Sequence, residues 1–230
     1  MMFNTTSVNS NSHQLLVDKR KEFFSLAVLS TFCVVVFGLR VYISGSLFFM
    51  FLIWNLFLAF IPWAISSILL LSPRLRNLKV LSIGLMLCWV AFFPNAPYIL
   101  TDLVHLKHNL SMPLWFDLIL ILTFAWTGLL FGFASLRDVA LICRQKLSVT
   151  LVNIMISGFL FLASFGIYIG RYLRWNSWDI VSKPAELIAD LTDIILHPFV
   201  HPKAWGMTLL LGVMLNIIYW TFRPMRQRKL

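Results

Sequence analysis

Six apolar stretches divide the chain, at about 23–43, 47–71, 80–100, 113–134, 147–170 and 204–222, each bounded by polar or charged residues. A helix needs about 20 apolar residues to cross a hydrocarbon core of about 30 Å, at about 1.5 Å of rise per residue. These stretches are apolar all round rather than along one stripe, so they predict spanning helices. The segment 172–203 is too charged to cross. Within it, 184–196 sets its apolar residues at helical spacing, with Glu186, Asp190 and Asp193 on another face. Pro184 suits a first helical turn and Pro198 a stop. The pattern predicts an all-α membrane protein, a bundle of about six transmembrane helices. An amphipathic interfacial helix lies in its last extracytoplasmic loop.

Composition agrees. Of 230 residues, 60% are hydrophobic and 12% charged, where a soluble domain carries about 25% charged residues. That excludes a soluble globular enzyme, a disordered chain and a disulfide-stapled secreted domain. Cys33, Cys88 and Cys143 have no metal-ligand spacing, and no disulfide or metal is expected. The apolar run after Lys19, Arg20 and Lys21 is long for a signal peptide and lacks a clear cleavage site. The expected division is a disordered cytoplasmic tail over 1–22, a six-helix domain over 23–222 and a basic cytoplasmic tail over 223–230.

The net charge of +10 changes the picture through its distribution. With the N-terminus inside, 13 of the 19 Lys and Arg residues fall on the cytoplasmic side. Asp102, Asp117, Asp179, Glu186, Asp190 and Asp193 fall outside. This positive-inside bias places both termini in the cytoplasm. The basic excess then serves loop retention and anionic headgroups rather than nucleic acid. Charges at the inner loop ends need no explanation, and the inner half reads as bland.

The costly polar residues gather in the outer half. Pro94 and Pro97 remove two backbone donors from the third span, so its freed carbonyls need partners. If the chain stays helical, Tyr98, Asp102 and His105 form one stripe, with Asn95 beside it. This is either a ligand-binding, proton-handling edge or a solvated helix end. Asn55 in span two reads as helix–helix hydrogen-bonding glue or as a ligand contact. Asp117 sits one turn inside span four and wants a cation, with Arg40, Arg171 and Arg174 as candidates. Arg171 and Arg174, at i, i+3 among aromatics, can fork onto a phosphate or carboxylate, or snorkel to headgroups. Asp179 closes that block. His197 and His201 lie four apart, but Pro198 and Pro202 argue against a shared metal. No P-loop, His-Glu-x-x-His or Ser–His–Asp pattern is present, and no cofactor is indicated.

These residues carry a resemblance. Asn55 through Pro62, the run Pro94-Asn95-Ala96-Pro97-Tyr98 with Thr101-Asp102-Leu103 and His105, the triplet Trp115-Phe116-Asp117, and the block from Gly170 to Asp179 resemble the bacterial membrane-protein family called domain of unknown function 1361, over roughly 25–222. The resemblance implies a multi-pass protein of the bacterial cytoplasmic membrane and no established activity.

The leading expectation is an outward-facing site for an anionic lipid or lipid-linked polar molecule. Asn95, Tyr98, Asp117, Arg171, Arg174 and Asp179 would bind it, and Asp102 and His105 would handle protons if chemistry occurs. Whether it is an enzyme or a binding protein stays open. A small transporter or channel is the alternative, since broken helices form midplane sites. A scaffold without a small ligand is the third; it predicts that acids and arginines pair with each other.

Overall fold

The computed structural model describes the backbone of residues 5–107 and 112–227, and the side chains of 13–106 and 112–222. The elements are α1 (Thr5–Ser44), α2 (Met50–Leu71), α3 (Pro73–Asn77), α4 (Lys79–Phe92) and α5 (Asn95–Tyr98), continued by a 3-10 stretch over Ile99–Lys107. Then come α6 (Leu114–Cys143), α7 (Val149–Tyr168) ending in a π-turn over Ile169–Leu173, α8 (Asp179–Ser182), α9 (Pro184–Leu196) and α10 (Pro202–Gln227). No strand occurs among the described residues. Six segments are long and apolar enough to cross a membrane: His13–Ser44, Met50–Leu71, Lys79–Leu106, Leu114–Cys143, Val149–Leu173 and Pro202–Phe222. Six crossings put the start of α1 and the end of α10 on one face, the terminus face. The 99–107 and 169–201 segments lie on the opposite, far face.

The first boundary differs from expectation. The segment 1–22, read as a disordered tail, is helical from Thr5 onward, and Lys19 and Glu22 are buried. The reason is a polar anchor described below. Residues 1–4 and the side chains of the basic segment 223–230 lie outside the described residues.

At the centre, α2 packs along α6, with α1, α5 and the 3-10 stretch also against α6. The larger core cluster joins α1, α2, α5 and α6 through residues such as Phe37, Leu52, Ala59, Ala96, Ile121 and Phe124. A second joins α2, α4, α6, α7 and α10 through Leu69, Trp89, Leu136, Leu160 and Tyr219. Small residues let helices approach closely in lipid. At Gly212 on α10 an added Cβ would collide with the Phe161 ring of α7.

α1 and α6 run antiparallel and are tied at both ends. Near the terminus face Lys19 bonds Asp138; near the far face Arg40 bonds Asp117. Arg40 follows Lys19 by 21 residues, and Asp138 follows Asp117 by the same 21. At about 1.5 Å per residue the two ties are about 31 Å apart along the pair. Between them the Cys33 thiol and Thr127 hydroxyl share a 3.3 Å hydrogen bond.

The amphipathic α9 spans the segment expected of it. Its Ile194 is buried with Tyr168 and Ala204, while Ile188, Ile195, Leu196 and the following Phe199 are exposed. An exposed apolar edge on a helix outside the spans suits an interfacial position.

Candidate functional site

The site begins with the break in the third span. Pro94 and Pro97 cannot donate, so the helical ladder is interrupted across the break, where the Ala96 N–H turns to the Phe93 carbonyl at 3.0 Å. The Asn95 amide donates to the Phe92 carbonyl at 2.9 Å, and the Ser177 hydroxyl donates to the Ala91 carbonyl at 3.0 Å. Asn95 also donates to Ser177 at 3.0 Å, which fastens the loop after the π-turn onto the break. Asn95 therefore satisfies backbone groups.

Glycines seat the break. A Cβ on Gly128 of α6 would lie 2.8 Å from the Ala96 carbonyl and from Ile99, and one on Gly132 would lie 3.0 Å from the Ala96 methyl. On the other side, a Cβ on Gly166 of α7 would lie 2.9 Å from the Pro94 ring. The broken segment thus wedges between α6 and α7.

After the break the chain runs as 3-10 for nine residues, longer than the usual three or four. The expected single stripe splits, because residues three apart now eclipse. Tyr98 and Thr101 share one edge, with the Thr101 hydroxyl donating to the Tyr98 carbonyl at 2.7 Å. Asp102 and His105 share the next.

Arg171 spans both edges. Its guanidinium lies 4.2 Å from the Tyr98 ring centroid. Nε and Nη2 donate to the Thr101 hydroxyl at 2.9 and 2.8 Å. Nη2 also bonds Asp102 Oδ1. Asn55 of α2 donates to Asp102 Oδ2 at 2.8 Å, and His105 Nδ1 stands 3.9 Å from Oδ1. Side-chain exposure is graded: Asp102 1%, Arg171 13%, His105 30%. A visitor from the far face meets Arg171 and His105 before Asp102. Arg171 Nη1 makes no hydrogen bond among the described residues.

The other candidates divide. Asp117 is paired with Arg40 through Nε–Oδ1 at 2.8 Å and Nη2–Oδ2 at 3.3 Å. Arg40 also reaches the Ser46 carbonyl and lies 4.4 Å from the Phe49 ring. Rings connect this pair to the site: Phe49 to Phe51 at 5.8 Å, then Phe51 to His105 at 4.9 Å. Arg174 does not join Arg171. The π-turn changes their register, and Arg174 caps it in the left-handed region with φ 62°. It is exposed on the rim near Tyr172, over which Lys203 sits at 3.9 Å. Asp179 ties its own loop, accepting from the Asn176 backbone N–H at 2.7 Å and from the Ser182 hydroxyl at 3.1 Å. The Asn176 backbone bond, helped by these side chains, holds its carboxyl below the usual range. His197 and His201 both bond Asp193, at 2.9 and 2.8 Å.

The half of the bundle at the terminus face, expected to be bland, is not. Lys19 Nζ bonds Glu22 Oε1 at 2.7 Å, Ser67 at 3.1 Å and Asp138 Oδ2. Ser66 also donates to Asp138, Trp63 to Glu22, and Arg137 to Glu22 at 2.6 Å. This quartet of two acids and two bases joins α1, α2 and α6. Sequence reasoning missed it by treating those charges as loop residues. Helix α6 continues to Cys143, which carries Asp138 back into the bundle. The paired 21-residue spacings were the available signal. An open groove lined by Asn153, Ser157, Phe161 and Trp220 runs along α7, away from every far-face candidate.

Fold and site together define a multi-pass α-helical membrane protein with charged clusters near both faces. The family model described as "Protein of unknown function (DUF1361)" matches residues 54–218, and the chain belongs to that family. No curated protein and no solved structure matches it.

Proposed function

We propose that the far face carries an anion-binding site centred on Arg171. It takes the phosphate of an anionic lipid headgroup or lipid-linked precursor at the outer surface of a bacterial cytoplasmic membrane. The observation that carries this reading is the setting of Arg171. A π-turn presents it against a 3-10 stretch, two rare helix forms that gather at functional sites. Thr101 and Tyr98 fix the guanidinium, while Nη1 stays uncommitted. Asp102 is the internal counter-charge. Asn95 with Ser177 holds the break, Asn55 orients Asp102, and Arg174 and Lys203 add positive charge at the rim. In this reading Asp117 and Asp179 are structural.

The apolar layer beneath favours a one-sided site over a transport path. Asn55 and Ser66 are 11 residues apart on α2, about 16 Å. Leu56, Leu58, Ala59, Pro62, Trp63 and Ile65 are buried between them.

The test compares wild type with the double variant Arg171→Gln/Asp102→Asn, which avoids stranding a buried carboxylate. Both are reconstituted in phosphatidylcholine nanodiscs with a minority of phosphatidylglycerol, and retained lipid is counted by native mass spectrometry. Loss of a charge-assisted contact of about 1.5–3 kcal/mol lowers retention about 10- to 100-fold. A scaffold reading is favoured by one observation, the closed Arg40–Asp117 pair. It expects equal retention in both proteins, and that result would overturn the anion site.

A further inference from the structure

Among the described residues four acids are buried: Glu22, Asp102, Asp117 and Asp138. Glu22 and Asp138 share two cations, Arg137 and the buried Lys19, and Asp117 is held by the fully buried Arg40. Asp102 differs, because the one Lys or Arg paired with it among the described residues, Arg171, is partly exposed. We infer that anion binding at Arg171 is coupled to the uptake of one proton by Asp102. This rests on the anion-site reading above and adds its regulation.

Arg171 Nε and one Nη2 hydrogen are held by Thr101, and the other Nη2 hydrogen points to Asp102. A phosphate or carboxylate engages arginine best along two adjacent N–H groups. The remaining edge pairs free Nη1 with the Nη2 hydrogen that Asp102 now holds. A bidentate oxyanion therefore displaces Asp102 from Arg171. The carboxylate is left with the Asn55 amide, and with the His105 ring 3.9 Å away, at 1% exposure. A buried carboxylate without its cation is costly, and neutralisation is the accessible relief. One proton from bulk water joins the Asp102 carboxylate, and its O–H bond is the only covalent bond formed. Anion and proton arrive together, so the site's net charge is unchanged.

The charged and titratable groups facing Asp102 are Arg171 from the π-turn, His105 on its own stretch and Tyr98 from α5. Asn55 is the polar group from α2. His105 is half-exposed beside Asp102 and is the surface group through which a proton arrives.

The probe is dimethyl phosphate, a diester that does not titrate between pH 5.5 and 8, added to the protein in phosphatidylcholine nanodiscs. A parallel arm uses phosphatidylglycerol nanodiscs, so that a site reading the lipid headgroup separates from one reading the free phosphodiester. Affinity is followed by tryptophan fluorescence, and proton uptake by a pH indicator in weak buffer. The expected result is affinity rising up to about tenfold for each unit of pH decrease, with about one proton taken up per anion. Asp102→Asn should bind with little pH dependence and no uptake. His105→Gln should keep the slope and stoichiometry while slowing uptake. Binding by wild type in either arm without pH dependence or uptake overturns the coupling and leaves the site standing. A slope abolished by His105→Gln but kept by Asp102→Asn also overturns it. Absence of binding in both proteins, in both arms, overturns the site itself.

Discussion

Replacing Asp117 with Asn tests whether the far-face tie between α1 and α6 is structural. The pair is enclosed: Arg40 is 0% and Asp117 1% exposed. The substitution keeps the size of the side chain but replaces the carboxylate with a neutral amide; among its described contacts Arg40 keeps the Ser46 carbonyl, the Ser44 hydroxyl and the Phe49 ring. Removing one partner of a buried pair costs about 3–5 kcal/mol. At about 2–4 °C per kcal/mol for a chain of this length, that is a fall of about 6–20 °C in unfolding midpoint. Replacing both partners with apolar residues, Arg40→Met with Asp117→Leu, removes the stranded charge and should recover most of the loss. The assay is thermal unfolding in nanodiscs followed by tryptophan fluorescence. A fall below about 2 °C for Asp117→Asn, or a double variant no better than the single, would show that the pair is not what holds α1 here.

Three further expectations use other parts of the structure. Lys19→Asp should destabilise by about 3–5 kcal/mol, and adding Asp138→Lys should restore much of it; failure of the swap, read by the same unfolding assay, would count against direct pairing. Gly128→Ala puts a methyl 2.8 Å from the Ala96 carbonyl and should cost about 1–3 kcal/mol by overpacking, whereas Gly84→Ala, with open space around it, should be near neutral or stabilising. The Asp179 carboxyl sits below its usual range, so its tie to Asn176 and Ser182 is fully present above the ordinary value and is lost as pH falls through the lowered one. Hydrogen exchange over 176–183 should therefore quicken at acid pH in wild type and be quick at every pH in Asp179→Asn.

The spans and the amphipathic α9 were legible because they depend on local apolar pattern and on proline placement at Pro184 and Pro198. The break at Pro94 and Pro97 was legible for the same reason, and so was the need for someone to satisfy its carbonyls. That Ser177 does so was not, because it lies 82 residues from Asn95 and only tertiary packing brings it there. The Tyr98–Asp102–His105 stripe failed for a definable cause: it assumed 3.6 residues per turn where the chain adopts three. The i, i+3 pairing of Arg171 with Arg174 failed likewise at a π-turn. Asp117 was recognised as an acid in need of a cation, and Arg40 stood among its candidates. Lys19 and Glu22 were misjudged because a polar N-terminal segment looks like a tail unless its charges are matched against Arg137 and Asp138, more than a hundred positions away.

The equal 21-residue intervals on α1 and α6 have a consequence for the membrane the protein occupies. Two neighbouring helices joined at only one level can slide or splay to follow a thicker or thinner bilayer. Joined at two levels about 31 Å apart, close to the hydrocarbon thickness of an ordinary membrane, they cannot change their relative register without breaking an ion pair. Mismatch must then be met by tilting the pair as a unit or by deforming the surrounding lipid. The bundle therefore carries its own preferred membrane thickness, written in the positions of four charged side chains.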